Sequence, residues 1–381
     1  MDISINIDIP GTKNTIPAEC IIRINDESIE DLYPFLVEVN VDIGRGEAAE
    51  ASLVFETRRD SDGTWTIQDD DRLETWAPFV ISAAFAEHEE EIVRGYIRQI
   101  KVDYPQDGAS TTVTITGQDD SLPMDREHVP CTWGDPTPVT DGYIVDEIIS
   151  GYSHITLDPG SGAGISDLCI QQSQRDSQFM RVRADVNGYE LIFSEGYLYF
   201  GPMRLDMKPQ DTIMVYAGPS TNCIGFSIDE DGQLPDKVIF EIAGRNGATN
   251  IREDIGPDVT VLGNAPSNSE NMGLQDFSWR LEGQGGQSEN EVRAMAQAKA
   301  NKNAFKIKAT GQLDGSLYGH VLRVAEPVGV DGVGEKYGGI YYVDRVTHSF
   351  DSGGYTQSFT LIRNAYGDNL EVSSSLIGGL L

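Results

Sequence analysis

The feature that most constrains this chain is the recurrence of short period-two runs. Val37, Val39, Val41 and Ile43 alternate with Glu38, Asn40 and Asp42. An apolar side chain at every second position sets one face of a strand on a core and the other in water. Leu53 and Phe55 repeat the pattern, followed by Ile100 with Val102, then Val113 and Ile115 among threonines. Turn-forming clusters such as Asp60-Ser61-Asp62-Gly63 separate the runs, the punctuation of a small barrel or sandwich. Residues 1–120 therefore read as a first β-barrel domain.

Between residues 121 and 210 the period becomes helical. Asp141 caps a short helix with Ile144, Val145, Ile148 and Ile149 on one face and Gly151 at its end. A second helix begins at Asp176, carries Phe179, Val182 and Val186 on one stripe, and stops at Asn187-Gly188. Glu190–Ser194 and Tyr197–Phe200 are predicted strands joined by a hairpin turn at Glu195-Gly196. This is a small α+β domain.

Residues 211–365 read as a second β-barrel domain, with a polar insertion at about 245–287. Its predicted strands are Cys223–Ile228, Lys237–Ala243, Lys306–Thr310, His320–Ala325, Ile340–Phe350 and Tyr355–Arg363. Ser288-Glu289-Asn290-Glu291 is a capping box that opens a helix carrying Val292, Met295 and Ala296 inward. Residues 366–381 form a Ser/Gly tail whose apolar points are Leu376, Ile377, Leu380 and Leu381. The expected fold class is mainly β with α+β, two β-barrel domains flanking a small α+β domain.

Charge narrows the function. The 61 acidic residues exceed the 28 basic ones, of which 9 are lysine, leaving −33 at pH 7. Gripping nucleic acid needs clustered Lys and Arg, and adsorption to an anionic membrane needs the same sign of charge. Neither fits this chain. A surface adapted to high salt and a wall that polyanions pass without sticking both remain open. No run approaches the ~20 apolar residues of a spanning helix, and the start has no signal-peptide pattern, so synthesis in the cytoplasm without membrane anchoring is expected. Cys20, Cys131, Cys169 and Cys223 are far apart and read as reduced thiols.

Chemistry is sparse. Gly160-Ser161-Gly162-Ala163-Gly164 lacks the Lys and Ser/Thr of a phosphate-binding loop. His88, His128, His154, His320 and His348 never fall at metal-ligand spacing, and His348 reads as a packed or rim residue of a strand. Asp229-Glu230-Asp231-Gly232 reads as a solvated turn. The expectation is no catalytic residue, no cofactor and no metal, in a protein that is not an enzyme.

Two stretches carry a resemblance. One runs from Asp176-Ser177-Gln178-Phe179-Met180-Arg181 through Asn187-Gly188-Tyr189-Glu190 to Leu198-Tyr199-Phe200-Gly201-Pro202. It resembles the helix-then-hairpin of phage late control protein D and of the hub part of VgrG proteins. The other is Gly338 to Phe350 followed by Gly353 to Asn364, similar to the closing hairpin Y-x-V-x-x-V-x-H-x-F and G-Y-x-T/Q-x-F-x-L-x-R-N of that family. Over residues 15–365 the resemblance implies a structural baseplate hub of a contractile phage tail or related injection system. Its two β-barrels are then tube-like, and three chains form a homotrimeric ring between the six-fold tail tube and a three-fold spike.

The implied partners are the tail tube protein, the spike, baseplate wedge proteins and the tape measure protein, with DNA or cargo passing without specific nucleic-acid binding. The implied location is the tail baseplate of the virion or injector. VgrG chains continue into a spike whereas this sequence stops at Leu381, so the expected spike is a separate polypeptide, docked on Leu376, Ile377, Leu380 and Leu381. The alternatives are a hub-like tail-tip module of a non-contractile tail, or a β-rich carbohydrate-binding or hydrolytic protein.

Overall fold

The computed structural model describes residues 17–106, 110–126, 130–242, 251–267, 274–281 and 288–370. The first β region contributes β1 (Glu19–Ile24), β2 (Leu36–Gly44), β3 (Glu50–Thr57), β4 (Pro78–Ala84), β5 (Glu89–Asp103) and β6 (Thr111–Asp119). The middle region supplies α1 (Asp141–Ser150), α2 (Asp176–Asn187) and the hairpin β7 (Glu190–Ser194) with β8 (Tyr197–Gly201). After it come β9 (Gln210–Met214), β10 (Cys223–Glu230), β11 (Lys237–Ile242), β12 (Ile251–Ile255), β13 (Ser278–Leu281) and α3 (Glu289–Asn303). The chain closes with β14 (Ile307–Asp314), β15 (Pro327–Asp331), β16 (Gly339–Asp351) and β17 (Gly354–Arg363). The fold is mainly β with a small α+β part, the class expected from the sequence.

The two β regions are not separate sheets. One 13-stranded sheet runs β10-β14-β17-β16-β2-β3-β6-β5-β4-β1 and ends on the short strand Glu27–Ser28, with β15 joined to β16 and β9 joined to β15. Strand β16 makes this possible by its length of 13 residues. Its first half pairs with β15, Tyr342 opposite Pro327, and its second half with β2, Phe350 opposite Val39. The sheet covers two cores. Ile22, Val39, Val41, Phe55, Ile81, Ile97 and Ile115 form the first, which also takes Phe350 and Tyr355 from the β16–β17 hairpin. Tyr341, Tyr342, Val346, Leu361, Ile307 and Val330 belong to the second. The α+β region has its own core of Ile144, Val145, Phe179, Met180, Leu191 and Phe200.

Local expectations largely match. Helix α1 is capped by the Thr140 side chain rather than by Asp141, and Gly151 ends it. Asp141 instead lies fully buried in the first turn. Helix α2 ends at Gly188, whose φ of 67° is the left-handed region that glycine enters without strain. Its buried stripe is Phe179, Met180, Arg183 and Ala184, with Val182 exposed, because the helix also faces α3 through Arg183. The capping box at Ser288 and Glu291 is present in both directions, and α3 buries Val292, Ala296 and Ala300 on β11. The 245–287 stretch contributes β12 and β13, which flank β11 in a small side sheet.

Two strand expectations fail. Val37 points outward because a bulge between Leu36 and Glu38 shifts the phase of β2. His320–Ala325 is not a strand. Its backbone amides are taken by side chains: Glu90 accepts from Val321, Gln357 from Leu322 and Gln210 from Arg323. Ala325 then turns the chain with a φ of 62°. All four cysteines are free. Among the described residues no helix is long and apolar enough to cross a membrane.

Candidate functional site

The residues that carried the resemblance converge where the three regions meet. Glu190 opens β7 and is buried. Its Oε1 accepts from Arg45 Nη1 at 2.9 Å, and its Oε2 lies 2.7 Å from the Tyr342 hydroxyl. Arg45 also donates to Asp344 Oδ1, so one guanidinium ties β7 of the middle region to β16 of the second. Burial lifts the Glu190 carboxyl above its usual range while the Arg45 charge draws it back down. The Tyr342 hydroxyl also lies 2.8 Å from the Ala325 carbonyl and accepts from the Arg204 amide. Glu190 of the first motif stretch and Tyr342 of the closing hairpin are thus bonded directly.

A cavity of about 230 Å³ lies beside this junction. Arg204 reaches it stacked 4.7 Å from the centre of the Tyr199 ring, and Arg323 pairs with Glu195 at 2.9 Å. Burial raises the Glu326 carboxyl, against the pull of Arg204 and Arg323. His348 lines the cavity, fully buried, with Nδ1 2.9 Å from the Tyr355 hydroxyl and Nε2 without a hydrogen-bond partner among the described residues. Burial and the Arg323 charge push its pKa down to about 3, so the ring is neutral. The packed-histidine expectation for His348 is the observed one.

The end of the closing hairpin is equally structural. Arg363 is fully buried without a carboxylate among its hydrogen-bond acceptors, donating to the carbonyls of Leu262, Tyr337, Gly338 and Gly367. Asn364 accepts from the Leu262 amide and donates to the Thr260 carbonyl. Phe350 stacks on Tyr355 at 4.1 Å and 7°, and Gln357 clamps residues 320–322. These motif residues hold the fold together.

The surface carries further candidate features. Strand β10 is one end of the large sheet, and Ile224 on it is 61% exposed. An open sheet edge is a ready pairing template. Tyr216, 88% exposed, stands just before this strand, and Leu274, Phe277 and Trp279 are exposed around β13. Basic charge is largely spent internally: Arg23 on Glu89, Arg72 on Asp31 and Asp70, Arg94 on Glu91, Arg98 on Glu50, Arg293 on Glu253 and Glu289, and Arg345 on Asp42 and Glu47. The excess of 61 acidic over 28 basic residues is unfavourable to holding a polyanion. The candidate partner residues Leu376, Ile377, Leu380 and Leu381 lie outside the described residues.

The fold brings together one cluster that sequence reading missed. His88 and His320 meet around Glu90, although Glu90 and His320 are 230 residues apart in the chain. Only the long-range joining of the two β regions produces it, so spacing along the sequence carried no signal.

Solved structures share this fold. The 43 kDa tail protein of prophage MuSo2 from Shewanella oneidensis is 12% identical with a TM-score of 0.66, covering 91% of this chain and 98% of its own. A tail protein from Neisseria meningitidis MC58 is 10% identical with a TM-score of 0.64, covering 91% and 97%. A type VI secretion component of E. coli, described as structurally similar to T4 bacteriophage tail proteins gp27 and gp5, is 11% identical with a TM-score of 0.55, covering 92% and 79%. This chain has the fold of phage tail and VgrG-like proteins. A family model described as the Alg8 N-terminal domain matches residues 15–352, and the chain belongs to that family. No curated protein matches.

Proposed function

We propose that the chain is a structural hub of a contractile tail baseplate or a related injection machine, and not an enzyme. The observation that carries this reading is the extent of the likeness: it spans 91% of this chain and 97–98% of two tail proteins, the whole architecture rather than one shared barrel. Three copies form a ring that meets a six-fold tube on one side and a three-fold spike on the other, with wedge and tape measure proteins around it. The acidic surface supports the reading physically, since a like-charged wall offers a passing polyanion no site of adhesion. The open β10 edge and the exposed aromatic residues near it are surfaces that neighbouring subunits can cover.

Within this proposal the tail residues Leu376, Ile377, Leu380 and Leu381 dock on the spike. Each buried side chain contributes ~1.5–3 kcal/mol before ordering costs, and three-fold repetition multiplies a weak single contact. Co-expression with the tube and spike proteins, followed by native mass spectrometry, tests the assembly. Three copies in complex with both partners is the expected result. Monomers alone, or a hexamer of this chain, contradicts it. Removal of residues 373–381 is expected to lower spike retention on purified particles.

A further inference from the structure

The geometry points to a divalent transition-metal site formed by His88, Glu90 and His320, which clamps the β4–β5 turn to the segment after β14. Glu90 Oε1 lies 2.9 Å from His88 Nε2 and 2.6 Å from His320 Nδ1. One ligand atom from each of the three residues falls within 4.8 Å of the others. Two imidazole nitrogens with one carboxylate oxygen are a recurrent zinc donor set, leaving one position for water. Ligand atoms around an ion bound at about 2.0–2.2 Å stand about 3.4 Å apart, so on binding the two nitrogen–oxygen contacts open and the two rings draw together by about an ångström or more.

Both histidines are held in place before any ion arrives. His88 stacks on Phe85 at 5.1 Å, and its carbonyl accepts from the Phe85 amide. His320 sits on backbone fixed from two sides: its carbonyl accepts from Gln357, and the next amide, Val321, donates to Glu90 Oε2 at 2.9 Å. The second oxygen of Glu90 is thus occupied, leaving Oε1 turned to the two rings.

The other face of His320 supplies an independent reason. Its Nε2 lies 3.2 Å from Asp211 Oδ2, the arrangement in which a carboxylate behind a metal-bound histidine fixes its tautomer. With the proton on Nε2, the Nδ1 lone pair faces a carboxylate oxygen at 2.6 Å. Two lone pairs at that distance repel unless a positive centre lies between them. A neutral ring has one N–H and cannot donate to both Asp211 and Glu90. A metal ion at Nδ1 satisfies all three groups together, and its charge is supported by two carboxylates.

The consequence is a cross-link between residues far apart in sequence, joining the hairpin of the first β region to the 320–322 segment that enters the first core through Val321. This holds whatever assembly the protein serves.

The test is titration of the chelator-stripped full chain with Co²⁺ and Zn²⁺ in excess Mg²⁺, which occupies adventitious surface carboxylates. One Co²⁺ per chain with a visible d–d band is expected, displaced by Zn²⁺, together with a Zn²⁺-dependent rise in thermal midpoint. His88→Ala and His320→Ala should abolish the band, and Asp211→Asn should weaken binding about 10–100-fold. Because all three side chains are partly exposed, the variants should unfold near the wild-type apo midpoint, which separates lost binding from lost fold. Absence of the band, or binding unchanged in both histidine variants, overturns the proposal and leaves a doubly hydrogen-bonded histidinium in its place.

Discussion

The buried ion pair between Asp141 and Arg183 offers a sharp test of how the middle region is fixed. Asp141 is fully buried and accepts from Arg183 Nε at 2.6 Å, Arg183 Nη2 at 3.2 Å, Asn187 Nδ2 at 2.7 Å and the Ile165 amide at 3.0 Å. Arg183, also buried, has Glu291 on its other side at 3.0 Å, which links α2 to α3. Burial alone lowers the Arg183 pKa, but the two carboxylates outweigh it and the net shift is upward.

Asp141→Ala leaves a buried guanidinium with one remaining partner, a change that costs about 3–5 kcal/mol in comparable sites. Arg183→Met strands the carboxylate with only neutral donors and should cost a similar amount. The double variant removes both charges and should cost less than the sum by at least about 2 kcal/mol, the signature of direct coupling. Since the chain has several cores, global unfolding will not be a single two-state step. Hydrogen exchange of α1 and α2 amides is the appropriate readout. Single variants that each cost under about 1 kcal/mol, or a strictly additive double, would refute the reasoning.

Other changes follow from the same physics. His348 titrates near 3 when folded, against an ordinary value of 6.5, so its stabilising contribution is present above pH 6.5 and lost as pH falls toward 3. At pH 5 that loss is about 2 kcal/mol, and His348→Gln should remove it from the hydrogen-exchange stability of β16 and β17. The comparison is made against the variant because Asp120, pushed up to about 7 by burial and by Asp119, changes stability in the opposite direction as pH falls. Ser288→Ala should cost about 1 kcal/mol in the exchange stability of α3 by removing its cap. Gly95→Ala should cost about 3 kcal/mol or more, because a Cβ there would stand 1.9 Å from the Gln118 carbonyl oxygen. A soluble Gly95→Ala chain of wild-type midpoint would contradict the sheet packing described.

Local signals in the sequence were reliable where one short segment decides its own shape. The Ser288/Glu291 box, the Glu195-Gly196 turn with φ of 52° and 79°, and the Gly188 stop all depend on neighbours within four residues. Misreadings arose where distant groups decide. Residues 320–325 are rich in apolar and β-branched side chains, as a strand is, but Glu90, Gln357 and Gln210 take the amides that a ladder would use. The α2 stripe rotated because Arg183, polar in sequence, is buried by its pairing with Asp141. The joining of both β regions in one sheet depends on β16 serving two partners in succession, which its length permits but its pattern does not announce. For the same reason His88 and His320 could not be matched from spacing.

A cryo-electron microscopy reconstruction of the purified particle tests the proposed position in an assembly. Three copies of this fold are expected in a ring coaxial with the tail tube, seated between the tube and the spike. Absence of the chain from the particle, a peripheral location, or a copy number other than three would contradict it.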